Sequence, residues 1–148
     1  MNTPLKSLLE EKGRTIHSVT PGHTVLAAVE KMNAEHIGAL MVLDDSRPVG
    51  IFTERDVLRA VVGAQRDPAS TSVGDLMTRD LIVVSPDCTV EEAMRVVTSK
   101  RCRHLPVMDG EKLAGVISSG DLTRWMTRSQ ENEIESLISY IHGDHPAS

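Results

Sequence analysis

The chain alternates between two kinds of hydrophobic pattern, and it does so twice. Val25, Ala28, Val29 and Met32 recur at helical spacing, as do Val90, Ala93, Met94 and Val97. Each set predicts a helix, over about Val25–Glu35 and Val90–Lys100. A short apolar run precedes each helix (IHSVT and LIVVS) and reads as a strand. Two more apolar runs follow each helix. ALMVLD and HLPVMD end in acidic turns, and PVGIFT and LAGVIS are bounded by turn residues, as buried strands are. A second helix starts after Thr53 and again after Ser118. Thr24 and Thr89 stand where a hydroxyl caps a helix, and Glu92 completes a capping box for Thr89.

The two patterns are one pattern repeated. Val19–Arg59 superimposes on Val84–Arg124 at an offset of 65 without a gap, and 11 of the 41 pairs are identical. Among the identical pairs are Gly50/Gly115, Asp56/Asp121 and Arg59/Arg124. Each half therefore reads strand–helix–strand–strand–helix, an α/β chain of the α+β type. Halves this small are marginal alone, so they are expected to pack together with pseudo-twofold symmetry. The expected organisation is a first repeat at 4–65, a polar linker at 66–72, a second repeat at 73–127, and a helical tail at 128–148. VGDLM (73–77) reads as a short helix with a counterpart in PLKSLLEEK. In the tail, Ile134, Leu137, Ile138 and Ile141 fall at i, i+3, i+4 and i+7, an amphipathic helix in need of a partner face.

Composition narrows the function. The only aromatics are Phe52, Trp125 and Tyr140, so the core is aliphatic and the seven methionines are core filler. A net charge of -5 and few aromatics argue against nucleic-acid binding. No apolar run approaches the roughly 20 residues of a membrane span, and no signal peptide is evident, so a cytoplasmic location is expected. Cys88 and Cys102 form no CxxC pair and read as free thiols. His142, Asp144 and His145 in the tail make a weak metal motif, for which a frayed end is the simpler reading. No P-loop, dinucleotide fingerprint or repeated nucleophile–base pair is present.

The junctions GIFTERD (50–56) and GVISSGD (115–121) carry the chemistry. The glycines allow close backbone approach. Thr53 and Ser118 offer a hydroxyl at a helix start, where free N–H groups and the helix dipole favour an anion. Asp56 and Asp121, three residues on, can each accept two hydrogen bonds from a ribose diol. A lone Thr-x-x-Asp is usually just a capping box; the matched duplication is what raises a binding reading. The flanks differ: Arg55 could meet a phosphate, whereas Ser119 and Gly120 bring no charge. KRCRHLPV (100–107) adds Lys100, Arg101, Arg103 and His104 to one half only.

With HIGALMVLDD…PVGIFTERDVLR and RCRHLPVMDGEKLAGVISSGDL, the chain from Pro4 to Met126 resembles tandem CBS domains, the Bateman module, in its stand-alone bacterial form. The resemblance implies a regulatory module, not an enzyme, with two clefts between the repeats. Each would hold an adenosine-containing ligand: AMP foremost, with ADP, ATP, NAD(H) or S-adenosylmethionine as alternatives. No obligatory cofactor is implied. By resemblance, the base contacts come from Ile37, Gly38, Ala39 and Pro106. The segments around His17 and Ile82 add backbone contacts, and Arg103 and His104 lie near phosphates. A homodimer and an unidentified protein effector are also implied. Two other readings stay open: a nucleotide-free CBS dimer acting as an interaction scaffold, and a slow nucleotide hydrolase or thiol redox enzyme.

Overall fold

The computed structural model describes residues 2–141, so the HGDH motif lies outside the described residues. The first repeat comprises β1 (Ser18–Val19), α2 (Val25–Glu35), β2 (Ala39–Asp44), β3 (Arg47–Thr53) and α3 (Glu54–Val57). α3 runs on into a π-helical turn, Leu58–Gly63. It is preceded by α1 (Leu5–Lys12). α4 (Val73–Leu76) precedes the second repeat, which comprises α5 (Val90–Lys100), β4 (His104–Asp109), β5 (Lys112–Ser118) and α6 (Ser119–Ile141). The fold is of the α+β type. The two main helices span the residues that the apolar spacing predicts, and both caps form. Thr24 Oγ1 accepts from the Ala27 N–H at 3.1 Å, and Thr89 Oγ1 from the Glu92 N–H at 3.2 Å. Both helices end on a left-handed residue, His36 or Arg101, at matched positions of the repeat.

The antiparallel hairpins are equivalent. Val42 faces Gly50 in one and Val107 faces Gly115 in the other. Their first strands are not. β1 pairs in parallel with β2 through Ser18–Met41 and Val19–Val42, whereas LIVVS retains only the bridge Val84–Val107. The reason lies in one residue. Met41 N–H donates to His17 O at 3.0 Å, but its counterpart 65 residues on is Pro106, which has no N–H to give to Ile82. The predicted strand in the second repeat therefore shrinks to a single bridge.

The helices flanking the repeats cross over. Leu5, Leu8 and Leu9 of α1 are buried with Val90, Ala93, Leu105 and Ile117 of the second repeat. Val73 of α4, with Met77, is buried with Val25, Leu40, Val42 and Phe52 of the first. Backbone bonds fix each exchange. Val90 N–H reaches Thr3 O at 2.9 Å, and Val25 N–H reaches Thr71 O at 2.9 Å. Each segment thereby satisfies a free N–H in the first turn of the opposite repeat's helix. Gly50 and Gly115 mark where the crossed segments press on the hairpins. A Cβ at Gly50 would lie 2.7 Å from Met77 Sδ and 2.9 Å from Thr78 O; at Gly115 it would lie 2.6 Å from Leu9 Cδ2.

α6 carries the second repeat's last helix and the amphipathic tail as one element of 23 residues, passing through Thr127 without a break. Its stripe of Ile134, Leu137, Ile138 and Ile141 is exposed.

Candidate functional site

A cleft of about 390 Å³ opens between the two repeats. The first repeat and the segment leading into it supply Ile16, His17, Ile37, Ala39, Met41 and Ile51. The second repeat supplies His104, Val116, Ser118, Asp121 and Arg124, and Lys12 at the end of α1 closes the edge. The aliphatic side chains Ile16, Ile37, Ala39, Leu40, Met41, Ile51 and Val116 make up about half of the lining, and Lys12, Ser118, Asp121 and Arg124 meet where α6 begins.

That end is built on Asp121. Its Oδ2 accepts from the Ser118 N–H at 2.8 Å, while Ser118 Oγ accepts from the Asp121 N–H at 3.1 Å. This is a reciprocal capping box, as the Ser-x-x-Asp spacing requires. Two cations join it: Lys12 Nζ donates to Oδ2 at 2.6 Å, and Arg124 Nη2 donates to Oδ1 at 2.6 Å. Burial alone would raise the Asp121 pKa. The hydrogen bonds from Lys12 and Ser118 outweigh it and hold the carboxyl below its ordinary value. The result is a charged, largely enclosed carboxylate between two basic side chains.

The first repeat does the same job with less charge. Asp56 Oδ2 accepts from the Thr53 N–H at 2.9 Å and from its hydroxyl at 3.2 Å. The difference begins at the hairpin edge. Thr78 N–H donates to Ile51 O at 2.9 Å; at the matched place, Lys12 Nζ donates to Val116 O at 2.8 Å. A lysine side chain stands in for a backbone amide, and so delivers an ammonium group to one junction only.

Of the residues singled out from sequence, His17, Ile37, Ala39, His104, Ser118 and Asp121 line this cleft. Thr53, Asp56, Ile82 and Pro106 occupy the matched positions of the other half. Gly38 and Arg103 act through their carbonyls, which accept from Glu54 N–H at 3.1 Å and Ser119 N–H at 2.8 Å. The side chains of Arg55 and Arg103 are exposed. Lys12 and Arg124 were not singled out. Arg124 had a signal, since it repeats as Arg59 three residues after the aspartate. Lys12 had none, being 109 residues from its partner.

His104 is half-buried in the cleft. Burial first, and then the charges of Lys12 and Arg103, push its pKa below the ordinary 6.5 against the opposing pull of Asp121 and Glu54. The ring is therefore neutral near pH 7, with one nitrogen donating and one accepting. The unfolded chain takes up that proton more readily than the folded one. The stabilisation is complete above about pH 6.5 and is lost as the pH falls through the lower folded value. His104→Gln is expected to lose less stability than the parent between about pH 7 and pH 5, by denaturant titration at each pH. An equal loss in both proteins would remove His104 from the account.

Other chemistry is poorly supported. Burial raises the pKa of both thiols, and the Glu92 carboxylate raises Cys88 further, the reverse of what an active thiolate needs. Among the described residues, no group of three or more His, Cys, Asp or Glu is placed to hold a metal ion, and no helix is long and apolar enough to cross a membrane.

The family model for the CBS domain matches residues 12–63 and again 73–128. The chain belongs to the CBS domain family. It is 34% identical to the mitochondrial CBS domain-containing protein CBSX3 of Arabidopsis thaliana, over 97% of this chain and 74% of that one. A CBS-domain protein from Burkholderia ambifaria, assigned provisionally to signal transduction, is 40% identical with a TM-score of 0.83, over 86% of this chain and 96% of that one. A CBS-domain containing protein from Agrobacterium tumefaciens is 37% identical with a TM-score of 0.80, over 84% of this chain and 99% of that one. CBS pairs of this kind are regulatory or signal-transduction modules.

Proposed function

We propose that this CBS pair senses an adenosine-containing ligand in the cleft between its repeats. The supporting observation is the Asp121 junction. Aliphatic walls suit a flat base. A carboxylate held ionised suits a ribose diol. Lys12, Arg124, Ser118 Oγ and the helix start suit a phosphate. A cleft of about 390 Å³ falls at the small end of ligand pockets. With the Asp121 carboxylate between them, Lys12 and Arg124 leave a net charge of about +1 at the junction, which suits a single phosphate group better than a polyphosphate. AMP is therefore the simplest ligand. The first-repeat junction, with Thr53 and Asp56, is the second candidate cleft, with less positive charge.

The signal follows from competition for Asp121. Lys12 ties α1 to α6 through this carboxylate, and Arg128 ties α6 to Glu11. A ribose that takes Asp121 displaces Lys12 toward the phosphate and changes how α1 sits on α6. Differential affinity for the two arrangements is what a ligand needs to shift them. The exposed stripe on α6 would pair two copies and pass the change to an effector. The same stripe favours the second reading, a scaffold that binds no nucleotide.

A thermal-shift panel on nucleotide-stripped protein tests this. AMP at about 100 times its Kd should stabilise by about 2.7 kcal/mol, a rise in Tm of about 5–10 °C for a chain of this size. GTP should produce no rise. If AMP, ADP, ATP, NAD+, NADH and S-adenosylmethionine all leave Tm unchanged, the sensor reading fails and the scaffold reading replaces it.

A further inference from the structure

The charge at the Asp121 junction falls short of what a phosphate group needs. Lys12 and Arg124 bring two positive charges and Asp121 one negative, a net of about +1. A phosphate monoester carries about -1.5 to -2 at pH 7. A ligand seated there lacks close to one positive charge. His104 stands where it can supply that charge. It lines the cleft with Lys12, Ser118, Asp121 and Arg124. In the β4–β5 hairpin it lies opposite Ser118, and the carbonyl of Arg103 beside it accepts the Ser119 N–H at 2.8 Å. The backbone thus pins the imidazole to the helix start that carries the Ser118 hydroxyl and the Asp121 carboxylate. His17, the other cleft histidine, belongs to the opposite wall, ahead of β1.

We propose that ligand binding at this junction is proton-coupled: His104 takes up one proton from solvent as the phosphate group arrives, so acidification tightens binding. This rests on the sensor reading above and adds a second input to the same site. The module then reads its ligand and the ambient pH together.

The charged groups around the ring come from several elements. Lys12 lies at the end of α1, Asp121 and Arg124 on α6, Arg103 next to the ring, Glu54 at the start of α3, and His17 across the cleft. Arg103 and Glu54 offset one another in sign. Partial burial and the charge of Lys12 hold the ring neutral. A phosphate placed among Lys12, Arg124 and Ser118 reverses that balance, because a nearby anion favours the charged imidazole. The protonated ring donates from both nitrogens, where the neutral ring donates from one. Coupling of this kind is reciprocal, so a bound phosphate offsets the acid-induced loss of stability at His104. The matched residue of the first repeat is Ala39, so a ligand at the Thr53–Asp56 junction has no such group to charge.

The test titrates AMP by calorimetry into nucleotide-stripped full-length protein and into His104→Gln, from about pH 8 to about pH 5.5. Each titration is repeated in two non-phosphate buffers of unlike ionisation enthalpy, which counts the protons taken up per AMP bound. The second ionisation of AMP, near pH 6, acts on both proteins alike and cancels in the ratio of their affinities, as does any change at His17. As the pH falls, that ratio should move by about tenfold in favour of the parent, the effect of raising one histidine pKa by one unit in the complex. The parent should also take up more protons per AMP than His104→Gln. A ratio that stays within about twofold, or that moves against the parent, overturns the proton coupling while AMP binding, and the sensor reading with it, stands. If His104→Gln binds no AMP at any pH, the parent decides alone: net uptake, after correction for protons released by AMP itself, supports the coupling, and no uptake overturns it. If AMP does not bind the parent, both readings fall together.

Discussion

Phe52→Ala is expected to cost about 3–5 kcal/mol of folding stability, the range for truncating a fully buried aromatic. Phe52 is completely buried and is the only phenylalanine in the chain. It lies in a cluster of nine buried residues, the others mostly Val, Ala, Leu and Met. No other aromatic residue belongs to that cluster. A domain of this size has only about 5–15 kcal/mol to lose, so the variant should be marginal at 37 °C. Its counterpart in the second repeat is the equally buried Ile117. The repeat thus supplies its own control: Phe52→Ile should cost much less than Phe52→Ala, because the equivalent pocket already accepts isoleucine. Equilibrium urea unfolding of the three proteins measures this. A loss below about 1 kcal/mol for the alanine variant would mean that the first repeat relaxes around the gap more than a close-packed core does.

Asp121→Ala is expected to weaken AMP binding on the order of 100-fold. Hydrogen bonds to a charged group contribute about 1.5–3 kcal/mol each, and a ribose diol makes two to one carboxylate. Losing both corresponds to two decades or more in Kd. The variant also loses the N-terminal box of α6, which costs about 1 kcal/mol, so it should remain folded. Asp56→Ala is the comparison, because it removes the matched carboxylate from the half without a Lys12. If the Asp121 junction is the main site, Asp56→Ala should change the affinity severalfold at most. Titration calorimetry on both variants decides it. An Asp121→Ala protein that binds within threefold of the parent would remove the carboxylate from ligand recognition and leave it its capping and ion-pair roles.

The regular part of this molecule was legible because its causes are local. The apolar spacing from Val25 to Met32, the capping Thr24, and their echoes at Val90–Val97 and Thr89 all act within a few residues. The helix bounds follow from them. What was not legible depends on residues far apart in the chain. Pro106 reads as an ordinary strand residue until its missing N–H is set against His17 O, at the matched position of the other half. Lys12 reads as the end of an exposed helix until that helix is found on the second repeat, where Asp121 lies. The duplication made the two junctions look alike, and the aspartates and hydroxyls do correspond. Their electrostatic difference comes from Lys12 of α1, which lies outside the 41 aligned positions, and from Arg124, which pairs with Asp121 as its counterpart Arg59 does not with Asp56.

The exchange of α1 and α4 has a further consequence. Each half of the molecule is closed by a segment that precedes the other half in the chain. The arrangement is that of a domain-swapped pair whose protomers have been fused end to end. A nick in the linker near Asp67 would therefore not release two modules. It would leave one fragment carrying the helix that seals its neighbour's core, and the other carrying the helix that seals the first. Neither fragment holds the parts for its own closure, so each core stays sealed only while the two remain together.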